Sequence, residues 1–520
     1  MKKPLLSLSI VLMSFGLSAQ TQTASLSFNN TSIQVMNGGD FFWDLSTSRY
    51  EIPKKSGSSS PVGTIFSGSV WMGGVDISGN LRLAAMTYRQ RGQDFKPGPL
   101  SFDTASKSSD HDKIYTVSKT QIDAHIANPS STTGVILEWP GNGDTSKGEP
   151  YQLAPFVDLN SNGKYEPKLG DYPKIKGIGA TYCIYNDYVL HTESGGEPIQ
   201  IEIHQMFYQD AFTHNGVLID DVNLASFTII NRGFQRLSNF VFGVFTDFDL
   251  GNFSDDYVGT DSTKNMVYAY NGDDNDEGIL GYGLNPPAQN MMFLNHNLGS
   301  AMYYNNNANP VNGNPTKATD YYNYLNARYK NGDPLIHPGG TKTKFMFSGD
   351  PVTGTGWTEQ SVSNTPGDRR ILASSEPMTL EPNMPICFDI AYVYGRATSG
   401  GSTASISTMR DKADIVQTVY DNNTYGWKSG DCILGAQDED ETVGILPNLQ
   451  KSQFSVYPNP STGLFHIKDL KSDMPSYVTD ATGKVLMIIE PQTTTFDIHN
   501  LATGLYFLKT ELGTVRLLKL

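Results

Sequence analysis

The sequence predicts an all-β protein: a large β-sandwich-like body with long loops and one short helix, followed by a small C-terminal β-sandwich. Three observations lead there. Fifty glycines, 28 prolines and 27 tyrosines in 520 residues, with only 18% charged residues, describe a turn-rich chain. Several segments alternate apolar and polar residues with period two, as a half-buried strand does. The last part of the chain breaks into short apolar runs at regular turns.

The chain opens MKKPLLSLSIVLMSFGLSAQ, where Lys2 and Lys3 precede an apolar run from Leu5 to Leu17 and the small residue Ala19. That order predicts a secretory signal peptide over residues 1–19, with an apolar run too short for a membrane span. No later stretch is long and apolar enough, so no transmembrane segment is expected. The 53 acidic residues outnumber 38 basic ones, a net charge of −15, or −17 without the two leader lysines. Such a surface repels nucleic acid and anionic lipid, and suits divalent cations. Cys183, Cys387 and Cys432 lack metal-ligand spacing and cannot all pair internally. Buried free thiols are expected, with one bridge the alternative.

Within the body, residues 20–433, PIQIEIHQMF places Ile199, Ile201 and Ile203 on one face and Gln200, Glu202 and His204 on the other. VNLASFTIIN and LSNFVFGVFTDFDLG are apolar on both faces and read as adjacent core strands, with RGFQR turning between them. WMGGVDISGNLRLAAMTY reads as a hairpin about Asp76-Ile77-Ser78-Gly79. Ile406, Met409, Ala413, Val416 and Tyr420 recur at helical spacing after Ser402 and Thr403, which are candidate caps. Residues 434–453 are acidic, then polar, and read as a linker. From 451 onward seven basic residues nearly balance six acidic ones, so the acidity belongs to the body.

The tail, 454–520, carries YPNPSTG at 457–463, DATGKV at 480–485, LATGLY at 501–506 and the ending VRLLKL. Its alternation and turns argue for a small sandwich of immunoglobulin-like type. These motifs, in this order, resemble the type A C-terminal sorting domain of type IX secretion. The resemblance implies a sorting signal involving Tyr457, Pro458, Asn459, Pro460, Gly463, Gly483, Gly504, Leu505 and Tyr506. It also implies a Bacteroidota-type envelope, the type IX translocon and a sortase as partners, and release or attachment to surface lipopolysaccharide. Two body stretches, IFSGSVWMGGVDISGNLRLAAMTYRQRGQDFKPGPL and TIINRGF…FTDFDLGNFSDDYVGTD, resemble segments of large type IX-exported proteins of unassigned activity.

Two acidic segments are candidate calcium sites. FVDLNSNGKYEPKLGDYP, 156–173, begins like an EF-hand loop, with side-chain oxygens at Asp158, Asn160 and Asn162. The Lys164 carbonyl and Glu166 would follow. Leu169 occupies the place of the bidentate glutamate, so Asp171 is expected to close the site. The second segment, 245–261, holds Asp247, Asp249, Asp255, Asp256 and Asp261, with no lysine or arginine among them. Five such carboxylates repel unless a cation or full solvation intervenes. NGDDNDEG, 271–278, reads as a solvated loop tip.

Catalytic readings are weaker. A glycosidase needs two carboxyl groups about 5–10 Å apart, and Asp247, Asp249, Glu193 and Glu202 are the candidates. No serine-hydrolase elbow or H-E-x-x-H helix occurs. His191 and His204 are expected to be hydrogen-bonded or solvated, not ligands. Trp43, Trp71, Trp139 and Trp357 lie beside glycines; burial is expected for most, with Trp139 partly exposed as a sugar-stacking candidate. The sequence thus points to an exported, calcium-stabilised surface or secreted protein with an adhesive or scaffold role, possible glycan ligand included. The alternative is a secreted polysaccharide hydrolase using an Asp/Glu pair.

Overall fold

The computed structural model describes residues 22–54, 62–102, 107–430, 432, 434, 436–437, 455–468, 470, 475–480, 485–510 and 513–520. The expected signal peptide, Gly483 of the sorting signal and most of the expected linker lie outside them. The chain divides into two compact units, residues 1–440 and 441–520.

The first unit is a sandwich of two antiparallel sheets, of ten and nine strands among the described residues. In the first sheet Ile65–Val75, Leu237–Phe248, Arg369–Ser375 and Leu298–Tyr304 lie side by side. In the second the order is Met266–Asn271, Ala288–Phe293, Pro385–Gly395, Val222–Asn231, Ile201–Gln209 and Gly179–Asn186. The two apolar segments joined by RGFQR therefore face each other from opposite sheets. Phe242 of the first sheet stacks on Phe388 of the second at 4.2 Å, and Phe227 lies 5.6 Å from Phe242 in the same core. The expected hairpin joins Ile65–Val75 to Leu81–Ala85. Asp76 holds its turn by accepting from the backbone of Ser78 and Asn80, each at 2.9 Å.

Each sheet is also covered on its outer face, which explains why strands such as Leu237–Phe248 carry apolar residues on both faces. The helix Ala318–Leu325 lies over the first sheet, with Tyr321 edge-on to Trp71 at 4.7 Å and Tyr324 stacked on Tyr304 at 5.1 Å. Gly243 permits this approach: a Cβ there would sit 2.4 Å from Leu325. The helix Gly401–Asp421 covers the second sheet through Ile406, Met409, Ala413, Val416 and Tyr420, all buried.

Several expectations are corrected. Among the described residues three α-helices occur where one was expected, the others being Lys119–Ala127 and Ala318–Leu325. The predicted helix spans 21 residues, and its Ser402 and Thr403 do not cap it. Instead Asn285 accepts from the Gly401 N–H at 3.0 Å and Asp274 from the Ser402 N–H at 3.1 Å. A distant loop thus satisfies the helix's first donors and sets an acid against its positive end. The strand Ile201–Gln209 is buried on both faces, because segment 122–156 covers the side expected to face water. Trp139 is 3% exposed and belongs to that cover. Cys387 and Cys432 form a disulfide, and only Cys183 among the cysteines is a buried free thiol.

The second unit contains seven strands in two antiparallel sheets, of three and four strands among the described residues. Phe465, Val478, Ile498, Leu508 and Leu517 form its core. The fold class expected from the sequence is the one observed.

Candidate metal sites

Asp247 lies near the end of Leu237–Phe248, on the outer face it shares with Phe245. Register pairs it with Arg370 of the neighbouring strand. Its Oδ2 accepts from the Tyr88 hydroxyl and lies 3.4 Å from Arg370 Nη2. Arg370 also donates to Asp368 Oδ1 at 2.8 Å and to Tyr88 Oη at 2.6 Å. Asp249 and Asp368 complete a group whose three carboxylate oxygens lie within 4.8 Å of one another. Asp247 is buried at 2% exposure, and its Oδ1 has no hydrogen-bond partner. Burial raises the Asp247 carboxyl above the usual carboxylate range despite Arg370. Burial and then the Asp247 charge raise Asp249 further. Three hard oxygen donors, one orphaned and buried, suit a hard cation such as calcium.

The other three acids of 245–261 go elsewhere. Asp256 is fully buried and accepts from the Leu250 N–H through one oxygen, the other being unpartnered. Beside it lies Asp255, and Asp276 from the segment read as a solvated tip is also buried. Asp276 binds the backbone N–H of Asn252 at 3.1 Å and of Tyr282 at 2.6 Å. Asp261 lies 3.6 Å from Arg410, a cation that sequence proximity did not suggest. Asp368 is the further addition, brought in by strand pairing alone.

The 156–173 segment stays together. Phe156–Val157 pairs with Tyr172–Pro173, so Asp158 and Asp171 follow and precede a shared ladder rung. Asp158 Oδ2 accepts from Gly163 at 2.6 Å, Asn160 from Asn162 at 3.1 Å, and Asn162 from Lys164 at 2.8 Å. Glu166 accepts from the Asn162 amide at 2.6 Å. Asp171 is fully buried and receives the N–H groups of Leu159 at 3.0 Å and Glu166 at 2.7 Å. Its carboxyl is raised by burial, with the Asp158 and Glu166 charges adding to it. Asp158 is 2% exposed and its Oδ1 has no partner.

The remaining candidates are committed to internal networks. Glu202 binds His204 at 2.8 Å, Arg232 at 2.6 Å and the Leu100 N–H at 2.8 Å. Burial alone would raise it, but His204 and Arg232 outweigh that and hold it at about 2. Glu193 binds the Thr87 hydroxyl and the backbone of Arg91 and Gly92. His191 meets the carbonyls of Leu83 at 2.7 Å and Asp187 at 2.8 Å. Trp43, Trp71 and Trp357 are buried like Trp139.

In the tail, Asn459 clamps the Tyr457–Pro460 turn to the last strand, donating to the Arg516 carbonyl at 2.5 Å and accepting from Leu518 at 2.8 Å. Gly463 has φ +145°, and a Cβ there would sit 2.7 Å from the His499 ring. Tyr506 is 8% exposed and donates to the Ala502 carbonyl at 2.8 Å; Leu505 is exposed and Gly504 opens the same strand.

Residues 455–519 match the secretion system C-terminal sorting domain. The tail is such a domain, and it marks the protein for type IX secretion to the cell surface or extracellular space, through contact with that machinery. The body carries no family assignment. Comparison with curated proteins gives no match. Among solved structures, a putative aldose 1-epimerase from Escherichia coli K12 is 8% identical, with TM-score 0.27, and covers 72% of this chain and 100% of its own. A GalM/aldose epimerase homologue from C. elegans is 8% identical, with TM-score 0.23, covering 73% and 100%. At those scores the likeness carries no argument. Among the described residues no helix is long and apolar enough to cross a membrane.

Proposed function

We propose that the exported body is a calcium-stabilised β-sandwich with an adhesive or scaffold role at the cell surface or outside the cell. The observation that carries the calcium reading is Asp158: a buried carboxylate oxygen without a partner, at the first position of a loop folded like the first half of an EF-hand. Asp171 stands across the ladder, its two oxygens holding the loop by accepting from the Leu159 and Glu166 N–H groups. The Asp247, Asp249 and Asp368 group would hold a second ion, offsetting repulsion that Arg370 covers only in part. Occupancy at a hundred times the dissociation constant adds about 2.7 kcal/mol to stability.

The test is the melting temperature of the full chain in chelator against millimolar calcium. A rise of a few degrees in calcium, reduced in Asp158→Ala, is expected; identical curves would remove the calcium reading. The hydrolase alternative has less behind it, since Asp247 is buried beneath Tyr88 and Arg370. Reducing-sugar release that Asp247→Asn abolishes would reinstate it.

A further inference from the structure

The body hides its tryptophans yet displays three other aromatic rings together. Phe234 is 88% exposed, Phe102 49% and Tyr188 41%. Phe102 stacks parallel to Phe234 at 5.9 Å and meets Tyr188 edge-on at 5.3 Å. Isolated exposed apolar residues need no explanation, but a contiguous aromatic face does.

Two of the rings, Phe234 and Tyr188, stand on braced backbone. Phe234 tops the turn between the two sheets, where fully buried Asn231 accepts from the Gly233 N–H at 2.9 Å and donates to the Gln235 carbonyl at 2.8 Å. Arg232 pins the same turn to Glu202 at 2.6 Å. Tyr188 follows Asp187, whose buried carboxylate binds the N–H groups of Ile199 at 2.5 Å and Ile201 at 2.7 Å. An aromatic held out in water on a rigid turn is preorganised for contact.

Beside Phe234 opens a cleft of about 210 Å³ whose walls include Gln200, Gln235, Asp76 and Arg82. Gln200 has φ +69°, an unfavourable backbone for glutamine. Its amide lies over Gly233, where a Cβ would sit 2.8 Å from Oε1. Asp76 and Arg82 pair at 3.0 Å along the cleft. The exposed Phe234 ring next to amides and a charged donor–acceptor pair matches one ligand chemistry: a sugar ring, with an apolar C–H face and a rim of hydroxyls. The cleft has room for a ring or two, not for a folded protein segment.

We propose that Phe234, buttressed by Phe102 and Tyr188, and the cleft beside it form a binding site for a neutral hexopyranose glycan. The inference rests on the adhesive part of the function proposed above and is independent of calcium.

The full chain would be applied to immobilised neutral oligosaccharides of glucose, galactose, mannose and xylose, to sulfated and sialylated ones, and to phosphatidylcholine vesicles. Retention of a neutral glycan is expected, weakened about tenfold by Phe234→Ala or Tyr188→Ala and kept by Phe234→Trp, with melting temperatures unchanged. No neutral glycan retained at millimolar concentration would overturn the site. So would retention of only charged glycans or vesicles, or retention equal in wild type and Phe234→Ala. Calcium-dependent melting without glycan retention removes this site and leaves the ion reading standing; glycan retention with calcium-independent melting does the reverse.

Discussion

The two acidic segments of the body handle negative charge differently. In 158–171 the ladder between Phe156–Val157 and Tyr172–Pro173 closes the loop, so residues near in sequence stay near in space. In 245–261 the strand, a turn and the next strand scatter five aspartates among three surroundings. One pair gains Asp368 and Arg370, two acids join Asp276, and Asp261 meets Arg410. A local loop can be read from ligand spacing; a site built across strands needs the register.

The largest expected effect separates these two modes of neutralisation. Arg370→Ala should cost about 3–5 kcal/mol in urea unfolding, because it strands Asp247 in a buried setting. Millimolar calcium should recover part of that loss if an ion can replace the guanidinium. A loss under 1 kcal/mol would mean the second segment needs no cation of either kind. Glu202 supplies the contrast of a carboxylate neutralised by the protein's own groups. Its folded pKa of about 2 lies below the ordinary 4.5. It therefore contributes about 3 kcal/mol that is fully present above pH 4.5 and lost as pH falls toward 2. Glu202→Gln should flatten that limb of a stability–pH curve; an unchanged curve would assign acid sensitivity elsewhere.

Asp158→Ala should remove a calcium-dependent term of about 2–3 kcal/mol while changing stability in chelator much less. Equal losses with and without calcium would make the loop a polar turn. The smallest effect tests the scattered segment again. Asp249→Asn should raise stability in chelator by about 1 kcal/mol by relieving repulsion from Asp247 and Asp368, and weaken any calcium response. A loss in chelator would show that Asp249 has a structural partner.

Legibility followed locality. The tail motifs, the Asp76–Gly79 hairpin and the stripe of Gly401–Asp421 are each contained in a short window, and each was readable. The cap of that helix was not, because Asp274 and Asn285 come from another part of the chain. Lys119–Ala127 did leave a signal, the Ser118 and Gln121 capping box. With only Ile122 and His125 buried, it lacks the apolar stripe that draws attention. Gln200, Glu202 and His204 looked solvent-facing because alternation reports a change of face, not what covers it. The candidate ligands Asp158, Asn160, Asn162, Lys164, Glu166 and Asp171 could be gathered by spacing, whereas Asp368 could not.

Ala436–Gln437 adds itself, in parallel, to the Phe156–Val157 strand. Backbone locked into a ladder cannot extend into the cleft of a peptidase. Were a sortase to remove the tail, as the resemblance implies, its cut would have to avoid residues 436–437. Residues 436–437 are thereby stitched to the strand that delivers Asp158, so the end of the body and the loop proposed to bind calcium share one foundation.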